Sequence, residues 1–521
     1  MTFLVCGASS VRQTGKTKHG SGEGMAKKIM LQGTMSSVGK SVLTAALLRV
    51  LKQDGYSCAP FKSQNMALNS YVTPDGSEIG RAQAMQAEAA GIEPSVEMNP
   101  ILLKPMGDTF SQVVVNGKPV ANMRAKEYYR RKQEFIPDIM SAFRKLEERY
   151  DVIVVEGAGS PAEINLREND IVNMGLADMI DTPVLLIGDI DRGGVFAQLY
   201  GTWALLEPHE RKRIKCLIIN KFRGDRSILE PGFDMLSAIC PVPVLGVMPF
   251  TELDIDEEDS LAERLISKKE RSIIDIAVIR LPHISNFTDF APLERANGIS
   301  LRYIRSAKEF GEPDMVIIPG TKNAIGDLLW LRSCGLGEMI HEHASAGGYV
   351  LGICGGYQML GQTLSDPYAT ESADGLFEKG LGLLPVETVF EKHKITERSH
   401  GITGGMGDGV WSLSGMAVTG YEIHMGVTRL LSGSCFIILS DGSHDGCCVG
   451  KVAGTYMHGL FDSEQFLEAF CNKLFDEKGL RSPSLHFEES LRHRKQAEYD
   501  KLADIMRNNC DINFIYRTAG I

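Results

Sequence analysis

A glycine-rich loop followed by lysine and serine constrains the fold of this 521-residue chain more than any other feature. The loop, GTMSSVGKS at residues 33–41, lies between the apolar run KIMLQG and the helix-like stretch SVLTAALLRVLKQDG. In such a strand–loop–helix unit, backbone N–H groups at the start of the helix cradle phosphate groups. Lys40 would reach the β- and γ-phosphates of ATP, and Ser41 would ligate Mg²⁺. The alternative is an ordinary Gly/Ser turn that ends in a helix cap.

The loop departs from the usual phosphate-binding motif by one residue, because five residues rather than four separate its two glycines. At the end of a later apolar run, Glu156 is placed where a carboxylate would hold Mg²⁺ or its waters, with a solvated strand-end residue as the alternative. Asn220, at the tip of LIINKFRGD, is a candidate contact for the nucleotide base. The predicted nucleotide-binding residues are Gly33, Thr34, Ser37, Gly39, Lys40, Ser41 and Asn220.

Apolar runs that end in polar or glycine-rich residues alternate with helical stretches along the chain. They include DVIVVEGAG, TPVLLIGDID and IKCLIINKF in the first half, and IIDIAVIRLP, DMVIIPGTKN and KVAGTYMHGLF in the second. This pattern is typical of buried parallel strands with functional residues at their carboxyl ends. It predicts an α/β fold with two parallel-sheet domains. The expected divisions are a flexible tail (1–26), an ATP-binding domain (27–250), an acidic linker (251–272), a second domain (273–481) and a helical tail (482–521).

The composition excludes several classes of protein. The net charge is −11 without a long basic run, which argues against nucleic-acid binding. No apolar stretch approaches the roughly 20 residues that cross a bilayer. The eleven cysteines are scattered, without a paired C-x-x-C motif, which favours a reduced, cytoplasmic protein.

The segment GICGGYQ, residues 352–358, places a cysteine between glycines after an apolar strand and before a helix-like stretch. A thiol at a sharp strand-to-helix turn is exposed, and the helix N-terminus lowers its pKa. A buried structural cysteine is the alternative reading of Cys354. A cysteine nucleophile needs a base nearby in space, and His458 in GTYMHGLF, at the end of a later strand, is the best of twelve histidines.

The order and spacing of Cys354 and His458 resemble those of class I glutamine amidotransferases. This resemblance implies a flavodoxin-like domain that releases ammonia from glutamine, with backbone N–H groups of Gly320 and Gly355 forming the oxyanion hole. Such enzymes usually carry a glutamate two residues after the histidine, where this chain has Leu460. A Cys–His dyad is therefore the working prediction, because Asp462 and Glu464 read as surface residues.

The longer loop and EGAG at residues 156–159 are similar to dethiobiotin-synthetase-like ATPases, which activate carboxylates as acyl phosphates. More specifically, PFKSQNMALNS (60–70), EGAGSPAEINL (156–166), GDIDRGGVFAQLYGT (188–202) and RLPHISNFTDFAPL (280–293) resemble the cobyric acid synthase family. The acidic LDIDEEDSL (253–261) and GYEIHMG (420–426) resemble it too, and the likeness runs from about residue 27 to the C-terminal helix.

The family resemblance implies a substrate and several contact residues. The substrate would be adenosylcobyrinic acid a,c-diamide, a corrinoid carboxylic acid amidated at its b, d, e and g side chains with ATP and glutamine. The implied substrate-binding residues are Lys62, Gln64, Asn65, Asn69 and Arg192.

For other polar residues in the family-like segments, the sequence leaves a structural role and a functional role open. His283, Asn286 and Asp289 are either structural, at a module interface, or direct ligands. His424 either shapes the glutamine site or is simply packed.

Two other functions remain possible from the sequence. One is cobyrinic acid a,c-diamide synthase, which shares the two-module plan, although the QNM and DRGGVF segments argue against it. The other is a non-catalytic nucleotide switch with a glutaminase-like docking domain. The sequence leaves the oligomeric state open.

Overall fold

The computed structural model describes residues 25–106, 110–253, 255, 272–371, 375–405, 407–482 and 491–521. The predicted N-terminal tail and acidic linker lie almost entirely outside the described residues.

Strands and helices alternate through the first module. Its strands are β1 (Lys27–Gly33), β2 (Cys58–Phe61), β3 (Gln64–Met66), β4 (Ser70–Val72), β5 (Glu78–Gly80), β6 (Ile101–Pro105), β7 (Phe110–Val115), β8 (Lys118–Arg124), β9 (Val152–Glu156), β10 (Val184–Asp189), β11 (Ile214–Phe222) and β12 (Val244–Pro249). Its helices are α1 (Lys40–Gln53), α2 (Arg81–Ala90), α3 (Ala125–Arg131), α4 (Ile136–Glu147), α5 (Met174–Met179), α6 (Val195–Leu205), α7 (Pro208–Arg211), α8 (Arg226–Leu229) and α9 (Pro231–Ser237).

Six of these strands form one parallel sheet in the order β12-β11-β10-β1-β9-β2. β9 and β10 are buried along their whole length, because helices cover both faces of the sheet. The face covered by α1 and the face covered by α4 have separate apolar cores. Since parallel strands place their carboxyl ends at one edge, the loop after β1 and Glu156 at the end of β9 lie at the same edge.

An insertion between β2 and α4 adds two smaller sheets to this module. One has the order β3-β6-β7-β8, and the other is the antiparallel pair β4–β5. The family-like segment 60–70 runs from β2 through β3 to the first residue of β4.

The second module repeats the α/β plan with a larger antiparallel addition. Its strands are β13 (Ile274–Ile279), β14 (Ile299–Ile304), β15 (Met315–Ile318), β16 (Tyr349–Ile353), β17 (Thr363–Ser365), β18 (Phe377–Lys379), β19 (Val386–Gly404), β20 (Ser414–Leu430), β21 (Ile437–Leu439), β22 (His444–Asp445), β23 (Cys447–Val449) and β24 (Val452–Thr455). Its helices are α10 (Ala291–Glu294), α11 (Ala307–Phe310), α12 (Ala324–Ser333), α13 (Leu336–Ser345), α14 (Gly355–Leu360) and α15 (Glu464–Glu477).

The main sheet of the second module has the order β14-β13-β15-β16-β24-β23 and is parallel except for β23. The long antiparallel pair β19–β20 belongs to a second sheet with β17, β18, β21 and β22. The predicted α/β class with two mostly parallel sheets is confirmed. Among the described residues, no helix is both long and apolar enough to span a lipid bilayer.

The C-terminal helices α16 (Leu491–Asn509) and α17 (Ile512–Ala519) return to the first module. Tyr499 and Met506 are buried in the same apolar core as α1. Asp500 accepts hydrogen bonds from Arg49 on α1, with Nε to Oδ1 at 2.7 Å and Nη2 to Oδ2 at 2.8 Å. The sequence indicated an amphipathic helix in this tail but not the module against which it packs.

Candidate active site

The turn that carries Cys354 joins β16 directly to α14. Cys354 has a φ of 51° and a ψ of −108°, a conformation that residues other than glycine rarely adopt. The turn needs glycine at position 356, because a Cβ there would lie 1.9 Å from the carbonyl oxygen of Ile318 on β15. A strained residue between a strand and a helix presents its side chain at the edge of the sheet, as nucleophiles of α/β enzymes do.

His458 follows β24, the strand that lies next to β16 in the sheet. Its Nδ1 lies 2.7 Å from Oδ2 of Asp289, and the N–H of Gly459 donates to Oδ1 of the same carboxylate at 3.1 Å. The ring of Tyr421 stacks on the imidazole with 5.3 Å between centroids. Because Nδ1 of His458 is hydrogen-bonded to Asp289, Nε2 is the nitrogen that can accept a proton from Cys354.

The surroundings of His458 favour its protonated form. Burial lowers the pKa of His458, but the Asp289 carboxylate and a hydrogen bond with Cys354 outweigh burial and raise the pKa to about 10. A base with a raised pKa can take the proton of a neighbouring thiol and leave a thiolate, which is the reactive form of cysteine.

Asp289 is a third residue in contact with the predicted Cys–His dyad, and it orients His458. It lies in the turn Phe287–Phe290, 169 residues before His458 in sequence. Leu460 occupies the position of the usual glutamate and is fully buried, whereas Asp462 is exposed. The segment RLPHISNFTDFAPL, singled out from the sequence, contains Asp289. A single sequence does not show which polar residue of that segment contacts His458.

The histidine of that segment, His283, contacts a different carboxylate. His283 Nδ1 lies 2.8 Å from Oδ1 of Asp327, whose Oδ2 accepts a hydrogen bond from the hydroxyl of Thr321. His283 thus supports the loop that follows β15, and Asp289 alone of the two acids contacts His458.

Of the two predicted oxyanion glycines, Gly355 follows the predicted nucleophile Cys354 in the chain, and Gly320 lies close to His458. A Cβ on Gly355 would lie 3.2 Å from the backbone nitrogen of Thr321. A Cβ on Gly320 would lie 2.9 Å from Cε1 of His458. The loop after β15 therefore approaches both the cysteine turn and the histidine, as an oxyanion hole requires, and only glycine permits this approach.

A cavity of about 40 Å³ adjoins Cys354 and is lined by both modules. Met106 and Gln112 come from the first module, and Glu371 and Lys394 come from the second. Burial raises the pKa of Glu371 to about 8.

His424 lines the same cavity and is also tightly packed. Its Nδ1 lies 2.7 Å from the carbonyl oxygen of Gly426, and its Nε2 lies 3.1 Å from Oε2 of Glu422. Its ring stacks on Tyr456 with 3.6 Å between centroids. His424 is therefore packed in the structure, and its role in shaping a glutamine site stays a prediction.

A buried ion cluster joins the modules beside this cavity. Glu78 of the first module pairs with Lys104 of the same module and with Lys394 of the second. Burial raises the pKa of Glu78, but the two lysines hold it well below its usual range. Because the cluster is almost fully buried, removal of one member would leave an uncompensated charge in the interface.

The loop after β1 folds around Lys40. The Lys40 ammonium donates to the carbonyl oxygens of Met35 and Gly159, each at 3.0 Å. Burial lowers the pKa of Lys40 to about 8, although Glu156 opposes this shift.

Asn220 supports the same loop from β11. Its Nδ2 donates to the carbonyl oxygen of Val38 at 2.7 Å. Gly39 has a φ of 94°, and a Cβ there would lie 2.3 Å from Asn220 Nδ2. The amide thus contacts the loop backbone, and its contact with a nucleotide base stays a prediction.

The remaining predicted loop residues also have partners. The hydroxyl of Thr34 donates to Gln198 Oε1 at 3.1 Å, and the carbonyl oxygen of Ser37 accepts from Lys221 Nζ at 2.8 Å. A Cβ on Gly33 would lie 2.5 Å from the side chain of Val38.

Glu156 is the centre of a buried polar group at the end of β9. Its Oε1 accepts from the hydroxyl of Ser41 at 2.8 Å and from Lys62 Nζ at 2.9 Å, and its Oε2 accepts from Gln86. Burial raises the pKa of Glu156, but Lys62, Gln86 and Lys40 together hold it below its usual range. The structure thus brings together both predicted metal ligands and one predicted substrate-binding lysine.

The other predicted substrate-binding residues lie in separate places. Gln64 accepts a hydrogen bond from the hydroxyl of Tyr128 at 2.6 Å, and Asn65 donates to Gln83 at 3.0 Å, so both contact the first module.

Asn69 contacts the second module instead. It accepts a hydrogen bond from the backbone N–H of Asn286 at 2.6 Å. Arg192 is exposed in the loop that follows β10. Of the five, Lys62 is linked to the phosphate-binding loop through Glu156, which also accepts a hydrogen bond from Ser41.

Two family models match the chain in tandem. A CobQ/CobB/MinD/ParA nucleotide binding domain matches residues 29–261, and a CobB/CobQ-like glutamine amidotransferase domain matches residues 275–466. The cobyric acid synthase of Lachnoclostridium phytofermentans is 52% identical over 518 residues, which cover 95% of this chain and 99% of the relative. The chain belongs to the cobyric acid synthase family.

Other members of the cobyric acid synthase family show similar identity. The Ruminiclostridium cellulolyticum enzyme is 52% identical over 95% of this chain and 97% of its own length. The Clostridium acetobutylicum enzyme is 51% identical over 95% of this chain and 99% of its own length.

Family membership confirms the predicted activity. The chain is a glutamine-hydrolysing carbon–nitrogen ligase that uses ATP, and the two matched domains account for its two modules. The relatives fit the cobyric acid synthase family, and neither alternative function fits them.

Proposed function

We propose that Cys354 releases ammonia from glutamine and that the first module uses ATP to join this ammonia to a corrinoid carboxylic acid. The observation that carries the first half is the buried contact of His458 with Asp289 next to the strained Cys354 turn. The phosphate-binding loop with Lys40 and Glu156 supports the second half.

Glutamine hydrolysis would begin with transfer of the Cys354 proton to Nε2 of His458. The thiolate attacks the side-chain amide carbon, and the backbone N–H groups of Gly320 and Gly355 stabilise the oxyanion. His458 then gives its proton to the amide nitrogen as the C–N bond breaks, so ammonia leaves and a glutamyl thioester remains. Water, deprotonated by His458, hydrolyses the thioester to glutamate.

Recognition of glutamine would use the charges of the cavity beside Cys354. Glu371 is suited to the α-ammonium group, and Lys394 is suited to the α-carboxylate. A bound ammonium would also stabilise the ionised form of Glu371, whose pKa burial raises to about 8.

The first module would activate a substrate carboxylate by phosphorylation. Lys40 would stabilise charge on the terminal phosphates, and a carboxylate oxygen of the substrate takes the γ-phosphoryl group as ADP leaves. Ammonia then attacks the acyl phosphate and displaces inorganic phosphate. The oxygens of Ser41 and Glu156 fit Mg²⁺, Glu156 through water because Lys62 already contacts it, and the ion would neutralise phosphate charge.

The substrate would be adenosylcobyrinic acid a,c-diamide, amidated at the b, d, e and g side chains. Each amidation would consume one ATP and one glutamine. Lys62, at the junction of the nucleotide site and the 60–70 segment, is the best placed of the substrate-binding candidates.

The test is replacement of Cys354 by alanine. We expect loss of glutamine-dependent amidation, with retention of amidation from ammonium salts, because only the ammonia source is removed. Mass spectrometry of the corrinoid product counts the amides added. Glutamine-dependent product from the variant would contradict the assigned nucleophile, and a product with other than four new amides would contradict the substrate assignment.

A further inference from the structure

Asn286 of the second module contacts both the histidine of the glutaminase site and the first module. Its φ of 54° is a left-handed conformation that asparagine tolerates better than most residues, and its side chain is buried. Its Nδ2 lies 3.3 Å from Nε2 of His458. This nitrogen must accept the proton of Cys354, because Nδ1 is bonded to Asp289.

The first module fixes the orientation of the Asn286 amide. The backbone N–H of Ser70 donates to Asn286 Oδ1 at 3.0 Å, and Asn69 Oδ1 accepts from the Asn286 backbone N–H at 2.6 Å. Only the oxygen end of an amide can accept from an N–H group. The oxygen therefore faces Ser70, and the NH₂ group faces His458.

Asp289 favours the protonated imidazole, whereas this orientation of the Asn286 amide opposes protonation of Nε2 and therefore opposes activation of the thiol. An N–H donor beside Nε2 is satisfied only while Nε2 carries a lone pair. Transfer of the Cys354 proton to Nε2 would place two donors face to face in a buried site. If the amide turned over, its oxygen would accept from Nε2–H and would favour the imidazolium–thiolate pair.

We infer that Asn286 is a positioning residue that couples the two modules. While Ser70 holds the Asn286 amide, the amide keeps Nε2 of His458 unprotonated. When the 69–70 segment shifts, the amide can turn over and His458 can accept the proton of Cys354. That segment is the end of the stretch that begins at Lys62, beside Glu156 and the phosphate-binding loop. Glutaminase activity is accordingly low until ATP and the corrinoid acid occupy the first module. The inference rests on the proposed roles of Cys354 and His458.

The test measures glutamate release by the full chain, with and without ATP plus adenosylcobyrinic acid a,c-diamide. In Asn286→Gly, which keeps the backbone conformation, we expect the substrate-free rate to rise by about fivefold or more. The ratio of the two rates should fall close to one. A merely structural asparagine would give lower rates in both conditions and an unchanged ratio.

The second variant is Asn286→Asp, which preserves the shape of the side chain. Its carboxylate can accept from both Ser70 N–H and Nε2–H, so we expect the same loss of coupling. The acidic limb of the kcat/KM profile should move about one unit or more to lower pH, because a stabilised ion pair keeps the thiolate at lower pH. The titratable groups that face His458, namely Asp289, Cys354, Glu422 and the stacked Tyr421, are unchanged.

Arg429→Ala is the control on the second module. Arg429 donates to Glu387 Oε2 at 2.9 Å on the exposed side of the β19–β20 pair, so its removal affects neither His458 nor the 69–70 segment. Its substrate-free rate should stay at the wild-type value. The inference is overturned by wild-type behaviour of Asn286→Asp, by an unchanged ratio in Asn286→Gly, or by an equal rise in Arg429→Ala. Glutamate release by Cys354→Ala would instead refute the nucleophile itself.

Discussion

Lys40 is a residue whose charge changes within the pH range of ordinary assays. Burial lowers its pKa to about 8, so the free enzyme increasingly carries a neutral amine above that pH. Phosphate binding requires the ammonium form, and each molecule that binds ATP at high pH must first take up a proton.

We therefore expect ATP affinity to be nearly constant below pH 7 and to fall by about tenfold per pH unit well above pH 8. Calorimetric titration with a non-hydrolysable ATP analogue from pH 6.5 to 9.5 measures this dependence. Lys40→Arg is the control, because a guanidinium stays charged and should remove the decline whatever its affinity at pH 7. A flat wild-type profile would contradict the shifted pKa.

Single residues differ in how well the sequence predicts them. Cys354 and Lys40 were predicted because their function depends on immediate neighbours, glycines and a following helix. His458 required only its position after a strand. Asp289 and Asn286 were not assigned, because their roles depend on a loop that the fold brings to His458 from a distant part of the chain.

At the scale of elements, the turn from β16 into α14 tolerates no larger residue at its second glycine. A Cβ on Gly356 would lie 1.9 Å from a backbone oxygen of β15, so either the turn or the strand must move. Overpacking of this kind typically costs about 1–3 kcal/mol and shifts the neighbouring backbone.

We expect Gly356→Ala to abolish glutamine-dependent amidation and to leave much of the ammonium-dependent amidation, because the first module does not contain the turn. The two activities and a thermal melt are measured on the same preparation. Gly201→Ala on α6 is the control, since a Cβ there meets nothing within 4 Å. Equal loss of both activities in Gly356→Ala would show that the turn matters to the whole molecule.

Element types were easier to predict than element contacts. The apolar runs at residues 152–156 and 184–189 became central parallel strands, because burial on both faces leaves no room for polar alternation. In the insertion that forms β3 to β8, three strands have only three residues each, and the pairing of β3 with β6 joins segments that no local pattern connects.

At the scale of the molecule, the C-terminal helices are part of the first module. Tyr499 is 1% exposed, and its hydroxyl donates to Glu88 Oε2 on α2 at 3.0 Å. Removal of a buried aromatic side chain usually costs about 3–5 kcal/mol.

A non-hydrolysable ATP analogue stabilises the nucleotide module, so the unfolding transition whose urea midpoint it raises belongs to that module. We expect Tyr499→Ala to lower the urea midpoint of this transition. Fluorescence and circular dichroism, with and without the analogue, measure both transitions. Lys501→Ala on the solvent side of α16, where the side chain is 49% exposed, should leave them unchanged. If Tyr499→Ala shifts only the transition that the analogue does not affect, the helices stabilise the other module.

The return of α16 and α17 has a consequence for synthesis on the ribosome. The nucleotide module includes β1 and also α16 and α17, which follow the glutaminase module in sequence, so its core stays incomplete until these helices have been synthesised. All residues of the glutaminase module emerge earlier. A nascent chain can thus complete the fold of the glutaminase module before that of the nucleotide module. The domain that produces ammonia would then be folded before the domain that uses ammonia.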